Sequence, residues 1–461
     1  MVIKLRNLGA LHCASIELAD ITVVCGKNNT GKTYATYAVF GFLSYWWEAY
    51  ELEVNHEIIS TLLESGNVII QIAELVRKAQ HFVDVACKKF DPLIQRVFSS
   101  DQESLTRSTL RIALSNNDIK PLDTYDQTTG SKKVNLFSIH KDTNSNIVTI
   151  SLLVDKGSIE IPSRVLQRSI SFALKKIIFK NTFPNPAILV AERTGIEIFQ
   201  AELDFARNRL LDTLKDSEGN LDPFEILRKV NTDYAIPINR AVDSVRNVKE
   251  SIKSQSYVFK EHPDVIQFMM SILGGDVVYA KNSMYYVPIT NKRLRLKINE
   301  SSSSVRSLVD LAIYLKHLAE KGDLLMIDEP ELNLHPENQR KVMQLFAMLV
   351  QIGIKVYVTT HSDYIVKELN NLSLMRNVRK EQRIHLCEKY GYNDMQMLND
   401  ASVSVYVASL QPVLLEGNTR RTKCNTFLKV KNGEFGFELD SFDNTIDVMN
   451  EIQDELLYEC D

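Results

Sequence analysis

An α/β fold with parallel strands at its core is predicted by three short stretches of this 461-residue sequence. The buried run Ile21 to Cys25 ends directly in a glycine loop, Gly26-Lys27-Asn28-Asn29-Thr30-Gly31-Lys32-Thr33. Leu324 to Ile327 are apolar and end in Asp328-Glu329. The β-branched run Val356 to Thr359 leads into Thr360, His361 and Ser362. Apolar runs followed at once by polar residues are what core parallel strands look like when they present side chains at their C-terminal ends.

The glycine loop has the spacing G-x-x-x-x-G-K-[ST]. Its glycines let backbone N–H groups curl round phosphates, and the start of the following helix adds a positive dipole end. Gly26 to Thr33 are therefore the predicted phosphate cradle, with Lys32 at the β and γ phosphates and Thr33 on Mg²⁺. Asp328 is placed to hold the same metal, directly or through water. Glu329, next to the metal but not on it, suits the residue that orients the attacking water or accepts its proton. His361 can sense the γ-phosphate or polarise that water. A helical segment, Glu337 to Ile352, separates the carboxylates from the histidine, so the two strands are predicted to pair in parallel and deliver both to one sheet edge.

The chain exceeds the size at which one core stops growing, so a main domain with a large insertion or second lobe is expected. Hydrophobic residues make up 44% and charged residues 24%, as in soluble globular proteins. The formal net charge of -4 supplies no global field for nucleic acid, which leaves only local basic patches for such binding. The six cysteines lie far apart, and the N-terminal residues lack the apolar core of a signal peptide. A cytoplasmic protein with free thiols is the expectation. The most apolar stretch, Ala35 to Trp47, is shorter than the roughly 20 residues that span a bilayer.

The predicted organisation is an N-terminal part of the core at 1–47, a helical and strand insertion at 48–185, a helical lobe at 186–270, a C-terminal part of the core at 271–375 and a small extension at 376–461. Strands are expected at Ile3 to Leu5, Ser15 to Leu18, Ile147 to Leu153, Ser158 to Ile161 and Ala187 to Val190, with a helix near Val165 to Lys180. Ile69, Ile72, Val76, Ala79, Val83, Ala86 and Phe90 follow steps of three and four residues and read as a helix-packing seam, either an internal hairpin or an arm toward a partner. Residues 101 to 146 are polar and read as an insertion, with Thr128-Thr129-Gly130-Ser131-Lys132 as a turn or mobile loop. Helices are expected over Ile196 to Met270, broken at three prolines, then a strand pair at Val277 to Tyr279 and Tyr285 to Ile289. Alternation places Arg293, Arg295 and Lys297 on one strand face. With Arg420, Arg421 and Lys423 they are either solvated or a site for DNA or an acidic protein.

The strings GKNNTGKT, LLMIDEPELNLHP and VTTHSDYIVKELNNL make the chain similar to the ABC-type ATPases of the SMC and overcoming-lysogenization-defect (OLD) group, over residues 1 to 50 and about 270 to 372. The resemblance implies an ABC-type P-loop ATPase of α/β class with a mixed sheet core, large helical insertions and a small C-terminal extension, using ATP and Mg²⁺. It puts Glu331 to His335 in the place of the D-loop and His361 in that of the switch histidine. Ala191-Glu192-Arg193-Thr194-Gly195 also matches a segment common in the group. Such ATPases sandwich nucleotide between two protomers, with a signature serine and helix start from the partner capping the γ-phosphate. The matching residues are Ser301, Ser302, Ser303 and Ser304, without the usual glycines, before a helix over Val305 to Leu318.

OLD nucleases add a TOPRIM domain after the histidine strand. Val413-Leu414-Leu415-Glu416-Gly417 resembles its opening, but Asp440 and Asp443 have the wrong spacing for its later Asp-x-Asp. The chain thus most resembles the stand-alone ATPase subunits of two-gene anti-phage systems such as PARIS and Septu. The implied role is a homodimer or higher homo-oligomer that controls a separate effector, a nuclease, with no membrane involved. A DNA-clamping repair ATPase of the SMC type is the alternative. An OLD-type nuclease and a transporter subunit fit less well.

Overall fold

The computed structural model describes residues 1–100, 103–115, 117–130, 135–154, 162–199, 234–281, 283–399, 402–414, 420–433, 436–437 and 448–456. The chain divides into two compact units. One comprises Met1–Lys4, Phe42–Leu93 and Thr109–Asn185; the other comprises Leu5–Gly41, Ile94–Ser108 and Pro186–Asp461.

The larger unit is organised by a mixed sheet whose strands run, side by side, Val2–Leu8, Leu11–Glu17, Thr422–Lys429, Val403–Val413, Ile21–Gly26, Lys355–Thr360, Asp323–Asp328 and Asn185–Leu189. The three central strands at Ile21–Gly26, Lys355–Thr360 and Asp323–Asp328 are parallel, and the first and last of them are buried along their whole length. Burial on both faces explains why they read as unbroken apolar runs rather than alternating ones. Helix Pro336–Gln351 follows strand Asp323–Asp328 and helix Asp363–Asn377 follows strand Lys355–Thr360, and both share a core with these strands that includes Phe346, Leu349, Leu369 and Leu372. The sequence patterns did not mark Val403–Val413 or Thr422–Lys429 as strands. They nevertheless sit in the middle of the sheet, where Val403–Val413 pairs in parallel with the strand entering the glycine loop.

The smaller unit carries a four-stranded antiparallel sheet in the order Asn67–Gln71, Ile147–Leu152, Asn135–Lys141, Tyr125–Gly130. Its core gathers round Trp46, which is fully buried with ring centroids of Phe183, Phe179 and Tyr50 at 4.6, 4.9 and 5.1 Å. Helix Lys32–Glu48 ends here. Its last carbonyls lack intrahelical partners, and the buried Lys175 ammonium donates to Trp46 O and Tyr50 O at 2.6 Å each. Burial pushes that ammonium down to about 8.

Several expectations change. The seam from Ile69 to Phe90 is not a continuous helix. Ile69 lies in the Asn67–Gln71 strand, 62% exposed, and helices Ile72–Arg77 and Ala79–Phe90 break at Lys78. The β-branched triplet Val68-Ile69-Ile70 prefers the pleated strand, while Ala79, Val83, Ala86 and Phe90 stay buried. Thr128, Thr129 and Gly130 are strand residues rather than a loop, because they pair with Asn135–Lys141; Ser131 and Lys132 lie outside the described residues. Polar composition concealed the strand because one of its faces is exposed. Arg293 lies in a turn, and only Leu296–Lys297 joins the Gly275–Ala280 and Ser283–Pro288 pair, so the three cations do not share a strand face. The expected strand Ser158 to Ile161, much of the helical block before Tyr234, and Leu415 to Gly417, Asp440 and Asp443 lie outside the described residues. Among the described residues no helix is long and apolar enough to cross a membrane, and the cysteines are free.

Trp46→Ala should destabilise the protein by about 3–5 kcal/mol, since the rings round it cannot collapse fully into the space left. A lowered denaturant midpoint, followed by circular dichroism, is the expected readout.

Candidate functional site

The glycine loop lies between the Ile21–Gly26 strand and helix Lys32–Glu48. Two of its glycines are required by both conformation and space. Gly26 has φ 134°, and a Cβ there would lie 2.4 Å from the backbone oxygen of Ala408 on the neighbouring strand; Gly31 has φ 91°, and its Cβ would meet Leu11 at 2.6 Å. Any side chain at either position is strained. Asn29 is also left-handed, at φ 61°. The Lys32 ammonium is buried and donates to Gly26 O at 2.9 Å and Lys27 O at 2.8 Å, so it lies inside the curve of the loop. Burial pulls its pKa down, and the facing charges of Asp328 and Glu329 oppose that shift. Thr30 Oγ1 donates to Lys27 O at 2.8 Å and tightens the turn.

The parallel register sets Asp328 beside Thr359 and Cys25 beside Thr360. Both oxygens of the buried Asp328 carboxylate are engaged: Thr33 Oγ1 donates to one at 3.0 Å and Thr359 Oγ1 donates to the other. Burial raises the pKa of this carboxyl while the two hydroxyls lower it. Two cis ligands of an octahedral Mg²⁺, each 2.0–2.1 Å from the ion, are about 3 Å apart. The hydroxyl and carboxylate of Thr33 and Asp328 therefore fit such an ion, with water and phosphate oxygens completing its shell.

Glu329 leaves the strand in a left-handed conformation, φ 49°, with its N–H donating to Thr359 O at 3.0 Å. The turn directs its carboxylate away from Asp328 and to within 3.1 Å of His361 Nε2. A hydrogen bond from His361 holds the Glu329 carboxyl below the usual range, against the opposing effect of burial. Both side chains are 29% exposed, enough for water to reach them. Glu331 fixes the histidine from behind: its Oε1 accepts from His361 N at 2.6 Å and Thr360 Oγ1 at 2.8 Å. Ser362 then caps helix Asp363–Asn377 by accepting from Ile365 N at 3.3 Å.

Arg193, for which the sequence suggested no role, is 1% exposed and braces the carboxylate strand. Its guanidinium donates to the backbone oxygens of Ser307 at 2.9 Å, Val190 at 2.9 Å, Asp328 at 2.8 Å and Glu329 at 2.8 Å. One planar fork thus ties together the Asn185–Leu189 strand exit, the Asp328-Glu329 turn and helix Ser303–Ile313. Burial lowers its pKa, and the surrounding carboxylates Asp310, Asp328, Glu331 and Glu329 raise it.

The serine run divides by role. Ser301 is buried, with its hydroxyl donating to Ile298 O at 2.5 Å. Ser302 is the exposed N-cap of helix Ser303–Ile313 and accepts from Val305 N at 3.3 Å. Its Oγ also lies 2.9 Å from Ser304 Oγ. Ser303 is exposed at the first helical position. The helix over Val305 to Leu318 expected from sequence is α-helical only to Ile313 and closes in a wider turn, Tyr314–Leu318.

A phosphate loop, a paired carboxylate and hydroxyl, and a Glu–His pair thus meet at one end of three parallel strands, and the family model described as "AAA ATPase domain" matches residues 1–366, which span all of them. The chain belongs to the AAA ATPase domain family. Residues 1–366 are an ATPase domain with a P-loop α/β fold.

A short match of 41% identity over 64 residues relates it to the cell division ATP-binding protein FtsE of Mycobacterium tuberculosis, covering 13% of this chain and 28% of that protein. The chain therefore spans little more than a quarter of the curated relative it matches. Among solved structures, an SMC head bound to the C-terminal winged helix domain of ScpA aligns over 93% of this chain and 97% of that one, at 9% identity and a TM-score of 0.34. The SMC head domain from Thermotoga maritima aligns over 93% and 98%, at 9% identity and 0.31. Likenesses at that level carry no argument about what this ATPase does.

The sequence left Thr359, Glu331 and Arg193 out of the site. Thr359 and Glu331 stand inside the quoted strings, and their polar type at a strand end was the available signal. Arg193 stood in the matched segment Ala191 to Gly195, but three of its four acceptors are backbone carbonyls distant in sequence, so its role was not legible there.

Arg193→Met should leave four backbone contacts unmade and lower stability by more than about 3 kcal/mol, read from a denaturant midpoint. In His361→Ala, Glu329 loses the bond that depresses its pKa. Its carboxylate should then protonate at higher pH on acidification, so the acid limb of the ATPase rate profile should move to higher pH. An unmoved limb would show that Glu329 does not govern it.

Proposed function

We propose that the chain binds ATP with Mg²⁺ at this site, completes the site through a second protomer, and uses the resulting cycle to regulate a separate effector. The observation that carries the reading is the meeting of Thr33 with Asp328 and of Glu329 with His361 beside one phosphate loop. Backbone N–H groups of residues 27–33 cradle the phosphates, and Lys32 exchanges its loop carbonyls for β and γ oxygens. Thr33 and Asp328 hold the metal, which neutralises phosphate charge when bound. Glu329, kept ionised by its histidine, takes the proton of the attacking water. His361 holds that carboxylate in position and reads the γ-phosphate.

Ser302, Ser303 and Ser304 support the shared-site part of the reading. They are at least partly accessible at a helix start, where a hydroxyl and free N–H groups can cap an anion on a partner protomer. Ser301 is engaged with Ile298 O and serves the loop itself. The effector part rests on the complete hydrolytic set in one unit and on a second compact unit of substantial size that carries none of it. With the sequence resemblance to two-gene anti-phage ATPases, it points to a cytoplasmic assembly whose effector is a nuclease.

Glu329→Gln should retain ATP binding while turnover falls by at least about 100-fold, and Lys32→Ala should weaken ATP binding by at least about tenfold. Turnover near the native level in Glu329→Gln would remove Glu329 as the base. For the effector, the product of the neighbouring gene should co-purify with the ATPase, and its nuclease activity should differ between the ATP-locked Glu329→Gln form and the nucleotide-free form. Nuclease activity indifferent to nucleotide state would sink the regulatory reading.

A further inference from the structure

Two exposed features of the larger unit remain outside the hydrolytic site, and each supplies what the other lacks. The first is an apolar groove of about 480 Å³ between helices Asp363–Asn377 and Lys380–Tyr390, lined by Leu374, Met375, Val378, Leu386 and Tyr390 with Tyr392 at one end. Arg340, ion-paired with Glu368 at 2.8 Å, also lines it, and the segment 376–390 that bounds it is basic in sequence. Arg376, Arg379, Lys380, Arg383 and Lys389 stand against Glu381 and Glu388, which gives five positive charges less two negative, or +3. The second is the helix at 448–456. Val448, Met449, Ile452 and Leu456 are 51, 65, 52 and 60% exposed and fall on one stripe at helical spacing. Glu451, Asp454 and Glu455 flank that stripe, and with no cation among the nine residues the segment carries -3.

An apolar helix stripe with an acidic flank is the shape and charge that a basic-rimmed apolar groove accepts. No residue of 448–456 lines the groove, and the apolar stripe of that helix is exposed. We propose that the helix at 448–456 of one chain docks in the Leu374–Leu386 groove of a second copy, its acids against the partner's Arg379 and Arg383. Exchange of the two helices gives a closed two-fold contact in which the same two surfaces are buried on each side. This contact needs no nucleotide and is separate from the nucleotide-bridged interface proposed above. It would hold protomers together between rounds of hydrolysis.

Sedimentation of the full chain without nucleotide, in a Lys32→Ala background that weakens the nucleotide-bridged contact, separates the two interfaces. A dimer at tens of micromolar is expected. Ile452→Glu with Leu456→Glu should return it to monomer with unchanged circular dichroism. Arg379→Glu with Arg383→Glu should weaken self-association by at least tenfold, and adding Glu451→Lys and Glu455→Lys should restore it. Leu374→Cys with Ile452→Cys should give a cross-link of doubled mass on a non-reducing gel. A chain that is monomeric without nucleotide, a dimer unaffected by the Ile452 and Leu456 changes, or a cross-link formed only within one chain would each overturn the proposal, whatever the fate of the ATPase assignments.

Discussion

The placement of Lys355–Thr360 between the loop strand and the carboxylate strand is the constraint on which the site depends. Parallel pairing on both sides brings Thr359 level with Asp328 and Thr360 level with Cys25, so three chain segments end at one height. A slip of one residue would turn Thr359 away from Asp328 and carry His361 off Glu329, since successive strand side chains point to opposite faces. The strand holds its place because both neighbours are buried and the helices beyond it share their apolar core. Packing energy that has nothing to do with phosphate chemistry thus sets the geometry of the chemistry.

Given that frame, the electrostatics of the site follow from which charges are buried with partners. Lys32, Asp328 and Arg193 are nearly inaccessible, and each is satisfied, Lys32 by loop carbonyls, Asp328 by two threonine hydroxyls and Arg193 by four backbone oxygens. Unpaired, each would cost several kcal/mol. Glu329 and His361 are treated differently: they remain partly open to water and engage each other. The division separates residues enclosed in the frame from the pair that remains open to solvent. A carboxylate whose pKa is depressed stays ionised at neutral pH, which favours orienting water and receiving its proton late in the reaction.

The N-terminal helix start and the serine helix start carry their dipoles in the same sense toward anions, but only the first belongs to a loop with glycines at both of its hinges. Ser302 caps the second helix by accepting from Val305 N, and Ser303 stands exposed at its first position. Arg193 reaches that same helix through Ser307 O, which links the serine helix rigidly to the Asp328-Glu329 turn. A displacement at one is resisted at the other.

Much of this was legible in the sequence, and the reasons are local. The glycine loop, the apolar run ending in Asp328-Glu329 and the β-branched run ending in His361 each declare strand, turn and chemistry within a dozen residues, because full burial of a parallel strand leaves an uninterrupted apolar signature. The strand Tyr125–Gly130 was hidden because its exposed positions carry Asp126, Thr128 and Gly130, and Thr422–Lys429 because its ends, Thr422, Lys423 and Lys429, are polar and exposed. The seam beginning at Ile69 misled because three-and-four spacing over so few residues fits a strand followed by two short helices as well as one long helix. By itself the sequence determined the glycine loop between a buried strand and a helix, since that depends on glycine conformations and a charge at fixed spacing. Only the tertiary structure decided that Ala408 presses on Gly26, that Thr359 and Thr33 divide the Asp328 carboxylate, and that Arg193 fastens the Asp328-Glu329 turn. Those contacts join residues up to hundreds of positions apart, and nothing in local spacing encodes them.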